Sequence, residues 1–205
     1  MGMRIGYGFD SHAFKAGVPL VIGGLAIAHP EGLAGHSDGD VLLHAITDAL
    51  LGAVSAGDIG TFFPPSDPRW KGADSCMFLK TALEEVATAG YKIVNVDTVL
   101  VMSKPKIVPI AGEMRERVAE LLGVRPGEVG IKAKTPEGLN QDSVAVAHAM
   151  VLLESVKLAD PPGRMVAAAD VEDEIDQVVK GLVGGAHDVS ALGRKRPAFN
   201  PDDLT

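Results

Sequence analysis

From Ser143 to Val156 the chain is almost wholly apolar. Such a run belongs in an interior, as a buried strand or a buried helix, and periodicity alone does not separate the two. Val144, Val146, Val151 and Val156 are stiff at χ1 and tilt it towards strand. The rest of the chain has to supply what covers it.

Asp38 stands ahead of Val41, Leu42, Ala45, Ile46, Ala49 and Leu50, an i, i+3/i+4 pattern. It predicts a helix N-capped near Ser37 or Asp38 and frayed around Gly52. A second helix starts at a cap on Asp74 or Ser75 and runs to about Ala89, closed by Gly90. A third covers Ile107–Leu122 and ends at Gly123. Arg4–Phe9, Tyr91–Met102 and Val129–Lys134 read as extended, with Gly6 and Gly8 allowing close backbone approach. Gly23-Gly24 joins Val18–Ile22 to Leu25–Ala28 as a hairpin. Gly57–Pro68 is loop, punctuated by Gly60, Pro64 and Pro65.

A chain of 205 residues has room for one medium domain, or for a domain and an appendage. The composition changes at Leu158, beyond which nine acidic and five basic residues give a net −4, half of the whole chain's −8. The expected division is therefore a domain over 1–157 and an acidic extension over 158–205. Val171, Ile175, Val178, Val179 and Leu182 make one amphipathic helix plausible there, about 169–183, before a loose tail.

No apolar run reaches the roughly 18–20 residues that span a bilayer, so no membrane partner is expected. The first residues lack the basic flank and apolar stretch of a secretory signal, which makes the cytoplasm the expected location. The acidic balance argues against nucleic acid, and 4% aromatic content leaves little for base stacking. Cys76 is the lone cysteine, so a tight metal site must be built from His, Asp and Glu. A phosphorylated substrate stays compatible with the net charge if a metal ion supplies the positive end.

Asp10-Ser11-His12 places two potential ligands on the same side of an extended segment. With His44 as a third, one carboxylate and two imidazoles suit zinc and leave a fourth position open. Equally, Asp10 caps a turn and His12 is a half-buried polar residue. His36 and Ser37 precede a helix start, where backbone donors favour an anion, though Ser37-Asp38 also reads as ordinary capping. Asp40 and Asp48 flank His44 at i−4 and i+4, either as partners for its imidazole or as solvated carboxylates. Lys132-Ala-Lys-Thr-Pro-Glu-Gly138 ends a strand in a hydroxyl and a carboxylate, suited to a phosphate and its magnesium but also common in loops.

Arg4-Ile-Gly-Tyr-Gly-Phe-Asp-Ser-His12, His36-Ser-Asp-Gly-Asp-Val-Leu-Leu-His44 and Thr47-Asp-Ala-Leu-Leu-Gly-Ala53 stand in order along the chain. Gly57-Asp-Ile-Gly60, Phe63-Pro64, Lys71-Gly-Ala-Asp-Ser75, Asn95-Val-Asp97, Pro105-Lys106 and Lys132–Leu139 follow. Over about residues 3–157 this succession resembles the 2-C-methyl-D-erythritol 2,4-cyclodiphosphate synthases of the non-mevalonate isoprenoid pathway. The resemblance implies an α/β (α+β) fold: a four-stranded mixed sheet with helices on one face, ferredoxin-like, assembling as a homotrimer with active sites between subunits. It implies Zn2+ on Asp10, His12 and His44, and Mg2+ or Mn2+ on Glu137 with the substrate diphosphate. His36, Thr135 and Glu137 become the catalytic residues. Asp10, His12, His36, Ser37, Asp58, Ile59, Gly60, Phe63 and Asp67 become substrate-binding, and Pro105, Lys106, Ile107, Ala133 and Thr135 form the cytidine-phosphate pocket.

The implied reaction is intramolecular. The 2-phosphate of 4-diphosphocytidyl-2-C-methylerythritol 2-phosphate attacks the β-phosphorus and expels CMP. Two other readings compete: a non-catalytic scaffold on the same fold, which has little reason to keep all four metal ligands, and a zinc phosphoesterase. Some positions depart from the family pattern. Asn140-Gln-Asp-Ser143 is short and lacks an arginine common there, which argues against an isoprenoid diphosphate in the trimer channel. Pro65, Ser103 and Lys104 are atypical, and the extension after Leu158 has no counterpart.

Overall fold

The computed structural model describes residues 2–138 and 143–156. In chain order β1 is Met3–Ala16, β2 Leu20–Ile22, β3 Leu25–Ile27 and β4 Glu31–Leu33. Next come α1 (Val41–Ala53), α2 (Ile59–Phe62), α3 (Ser75–Thr88), β5 (Tyr91–Val101) and α4 (Ala111–Leu122). β6 (Val129–Lys134) and β7 (Val144–Ser155) complete the chain's described part. The extension over 158–205, with its expected helix at 169–183, and the departure at residues 140–142 lie outside the described residues.

The apolar run becomes β7, the middle strand of a sheet ordered β4-β1-β7-β5-β6. Its neighbours β1 and β5 both run antiparallel to it, and β6 runs parallel to β5. The sheet is mixed as expected, but it has five strands rather than four. β1 is the reason: it outruns the expected Arg4–Phe9, and its last residues, Phe14–Ala16, pair with the short β4. β2 and β3 form a separate hairpin whose turn puts Gly23 and Gly24 at φ of 63° and 72°. Both values are left-handed, which glycine adopts without a Cβ penalty.

The ferredoxin-like expectation also needs correction. In the four long strands the order of elements is β-α-β-α-β-β, because α4 lies between β5 and β6 and makes that pair parallel. A ferredoxin-like unit instead joins its second and third strands directly, as β-α-β-β-α-β.

The expected helices are present, with shifted edges. α1 starts later, since Asp40 and not Ser37 or Asp38 is its N-cap, accepting from the Leu42 and Leu43 N–H groups. Asp74 caps α3, and Gly123, at φ 67°, closes α4. The stretch Val108–Ile110 is a 3₁₀ turn ahead of α4, and the expected loop at 57–68 contains α2.

α1 rests on β1 and β7, α3 on β5 and α4 on β6. α1 comes unusually close, because a Cβ at Gly6 would meet the Ala49 carbonyl oxygen at 1.8 Å and one at Gly8 the Ala45 carbonyl oxygen at 1.9 Å. Ala145, Ala147 and Ala149 on β7 are also small and fully buried on the same face. Leu42, Ile46 and Leu50 of α1, which packs on β7, belong to the same buried core. The opposite face of the sheet has no helix on it among the described residues. Ile5 there is 68% exposed, and Tyr7, Phe9 and Met150 are about half exposed. No helix among the described residues is long and apolar enough to cross a membrane.

Candidate active site

Asp10 and His12 lie on the helix-facing side of β1, in line with Gly6 and Gly8. Once α1 lies down on the two glycines, its first turns overhang that end of the strand. His44, buried on α1, then meets both residues. His44 Nδ1 stands 2.9 Å from Asp10 Oδ2, His12 Nε2 stands 2.8 Å from the same oxygen, and the two imidazole nitrogens are 3.1 Å apart. Asp10, His12 and His44 are thus placed to bind a metal ion. Tetrahedral zinc, with ligands at about 2.0–2.1 Å, asks for ligand atoms roughly 3.3 Å apart. Opening each pair by a few tenths of an ångström meets that demand, so the donor set and its spacing fit zinc.

The electrostatics agree with a cation site. Burial works against ionising Asp10, yet hydrogen bonds from His12 and His44 hold its carboxyl well below the usual carboxylate range. Burial likewise works against charging His12, but the hydrogen bond and charge of Asp10 outweigh it and raise its pKa. A divalent ion replaces the proton that these groups otherwise share.

Neither acidic neighbour orients His44. Asp40 is fully buried and spends its carboxylate on the N–H groups of Gly23, Gly24, Leu42 and Leu43, welding the hairpin to the start of α1. Asp48 accepts the Ile59 N–H at 2.8 Å, fastening α2 to α1, and burial raises its pKa. The second nitrogen of His44, Nε2, instead faces two hydroxyls: Ser75 Oγ at 2.8 Å and Ser37 Oγ at 3.0 Å. Ser75 donates in turn to Asp38 Oδ1. Sequence reasoning treated Ser75 and Asp38 as caps only. Their one signal was position: Ser75 begins α3 and Asp38 lies in the loop ahead of α1, and the loops at 36–38 and 72–73 are tied together by the Gly72 N–H to His36 oxygen bond.

The remaining expected substrate residues border this cluster or lie across the sheet. His36 is exposed beside Ser37. Asp58 caps α2 through the Thr61 N–H, with Ile59 and Gly60 next to it. Phe63 packs tilted against Phe78 at 4.3 Å and edge-to-face against Trp70 at 5.0 Å, and Phe78 lies 5.9 Å from the His44 ring. Asp67 is bound by Arg69, which lowers its pKa. Cys76 takes no part in the cluster; burial pushes its thiol up to about 12.

A second concavity, of about 290 Å³, lies where β5 and β6 end. Pro105, Lys106, Ile107, Ala133, Thr135 and Glu137, all expected site residues, line it. Thr135 Oγ1 donates to Glu137 Oε1, and Glu137 has a left-handed φ of 48° that turns the chain at the rim. Within one chain this pocket is distant from the metal cluster. Asp10 pairs with Ala147, Ala147 with Leu100 and Leu100 with Ala133. Three strand spacings of about 4.8 Å therefore separate the two, roughly 14 Å.

Residues 3–154 match the model of the YgbB family. The 2-C-methyl-D-erythritol 2,4-cyclodiphosphate synthase of Koribacter versatilis is 64% identical over 152 residues, which are 74% of this chain and 98% of that one. The chloroplastic synthase of Arabidopsis thaliana is 48% identical over 153 residues, 73% of this chain and 66% of that one. A solved 2C-methyl-D-erythritol-2,4-cyclodiphosphate synthase in a CDP-bound form is 43% identical with a TM-score of 0.70, covering 74% of this chain and all of the other.

Proposed function

The chain belongs to the YgbB family of 2-C-methyl-D-erythritol 2,4-cyclodiphosphate synthases, enzymes of isoprenoid biosynthesis, and from that membership we propose how its own residues divide the work. It converts 4-diphosphocytidyl-2-C-methyl-D-erythritol 2-phosphate to the 2,4-cyclodiphosphate and CMP. Asp10, His12 and His44 hold zinc, and Glu137 holds magnesium or manganese. When bound, the two ions supply concentrated positive charge to the phosphate oxygens, which an acidic chain otherwise lacks.

The substrate carries its own nucleophile, so no side chain is acylated or phosphorylated. An oxygen of the 2-phosphate attacks the β-phosphorus, the bond from that phosphorus to the oxygen bridging it to CMP breaks, and CMP leaves with the bridging oxygen. What the protein contributes is position and charge complementarity. His36 and Ser37, at the mouth of the metal cluster, hold the erythritol phosphate, with Asp58, Ile59 and Gly60 beside the methylerythritol hydroxyls and Phe63 and Asp67 on the same loop. Pro105, Lys106, Ile107 and Ala133 receive the cytidine phosphate. Thr135 and Glu137 sit at the leaving group.

The enzyme works as a homotrimer with each site shared between neighbours. Two observations support this. The attacking oxygen and the β-phosphorus must come within about 3.5 Å, whereas the two halves of the site lie some 14 Å apart in one chain. The bare sheet face with Ile5, Tyr7, Phe9 and Met150 is apolar enough to need a partner. Residues 1–157 form the catalytic domain in this reading, 158–205 an extension to it, and the location is cytoplasmic. The observation that carries the assignment is the convergence of Asp10, His12 and His44. Incubation with the cytidine-linked substrate and magnesium, followed by phosphorus NMR, tests it. A cyclic diphosphate plus CMP is expected; hydrolysis to an open-chain product with water oxygen incorporated would mark a phosphoesterase instead.

A further inference from the structure

The geometry points to Ser75 and Asp38 as positioning residues that hold His44 in the tautomer presenting a bare Nδ1 to the metal, while Ser37 is left free for substrate. The inference rests on the zinc assignment to Asp10, His12 and His44. It follows from counting protons at His44 Nε2.

Two hydroxyls compete for that nitrogen. Ser75 Oγ is 2.8 Å away and Ser37 Oγ 3.0 Å away. Ser75 has one hydroxyl proton, and it is committed to Asp38 Oδ1. Asp38 Oδ2 is committed as well, accepting the Ser75 backbone N–H at 3.1 Å, so the carboxylate grips the serine from two sides. With its proton spent, Ser75 Oγ has only lone pairs to offer His44. Nε2 must therefore carry the hydrogen and donate it. When a metal ion displaces the proton that Nδ1 otherwise gives to Asp10, the neutral imidazole keeps its hydrogen on Nε2 and the lone pair of Nδ1 faces the metal position beside Asp10 and His12.

The relay is rigid. Ser75 is fully buried and His44 is 8% exposed. Asp38 is set by its own backbone N–H to the Ala73 carbonyl, which ties the loop before α1 to the start of α3. A carboxylate acting on a metal ligand through an intervening hydroxyl has the same logic as direct carboxylate–histidine pairs, whose loss weakens metal binding about 10–100-fold. Ser37 differs. It accepts a weak 3.3 Å bond from the Gly39 N–H and is partly exposed, so its hydroxyl proton is available to a phosphate oxygen.

The test compares the two serines by competition of the native trimer and its variants against a chromogenic zinc chelator, and by the visible spectrum of cobalt-substituted protein. Ser75→Ala is expected to bind zinc about 10–100-fold more weakly, with altered cobalt bands, and Ser75→Thr to restore much of the affinity. Asp38→Asn reverses the serine hydroxyl, because an amide can donate to it, and is expected to show the same loss. Ser37→Ala is expected to keep native zinc affinity and raise KM. Native zinc affinity in a folded Ser75→Ala or Asp38→Asn protein, or equal losses from the two serine variants, overturns the relay. A native protein that binds no zinc overturns the metal assignment and the relay together.

Discussion

The Asp10–His12–His44 cluster and the concavity at the ends of β5 and β6 are built on opposite principles. The first joins residues from β1 and α1 in a half-buried knot, backed by the Ser75–Asp38 pair and braced by the contact of α1 with Gly6 and Gly8. The second is a rim of strand-end loops in which Glu137 is exposed and Thr135 half-buried. The cluster is complete within one chain. The concavity lies about 14 Å away from the cluster across the sheet of the same chain. In the proposed function, pre-organisation thus resides where the ion is selected, and openness where a large substrate enters and CMP leaves.

Three substitutions would break or sharpen this contrast. His44→Ala has the largest expected effect: zinc is lost and turnover falls by about 10⁴-fold, while the oligomer mass in light scattering stays unchanged. Unchanged turnover would remove the metal from the chemistry. Ile5→Glu puts a charge into the bare sheet face and is expected to shift the native mass towards monomer. Activity then drops about 10³-fold while zinc content per chain is retained, since all three ligands are intrachain. A fully active monomer would show that one chain suffices. Glu137→Gln has the smallest effect, about 10²-fold in kcat/KM with native zinc content and a weaker response to added magnesium. If it instead lost zinc, the two regions would not be independent.

Much of the local structure was legible because local chemistry settles it. Gly23-Gly24 supplies the left-handed turn of the hairpin, Asp74 caps α3, and Gly90 and Gly123 stop α3 and α4. The D-x-H spacing puts Asp10 and His12 on one side of a strand whatever surrounds it. Where reading failed, a long-range partner intervened. Asp40 displaced Ser37 and Asp38 as the cap of α1 because its carboxylate also binds the hairpin glycines. β1 extended beyond Phe9 because β7 and β4 offered it a ladder. Asp40 and Asp48 stood at the right helical offsets from His44 and still turned elsewhere, while Ser75, distant in sequence, took its Nε2.

The apolar stretch at 143–156 shows the same boundary. Composition marked it for an interior, and its valines tilted it towards strand over helix. Alternation along that strand is a property of the backbone and needs no neighbours. Only the tertiary structure decided that helices cover the Ala145, Ala147 and Ala149 side while the Met150 side carries no helix among the described residues. It also decided that α1 lies close enough to β1 for His44 to join Asp10 and His12. Those outcomes depend on which segments meet across the sheet, and side-chain packing between distant segments is not encoded in any local window of the chain.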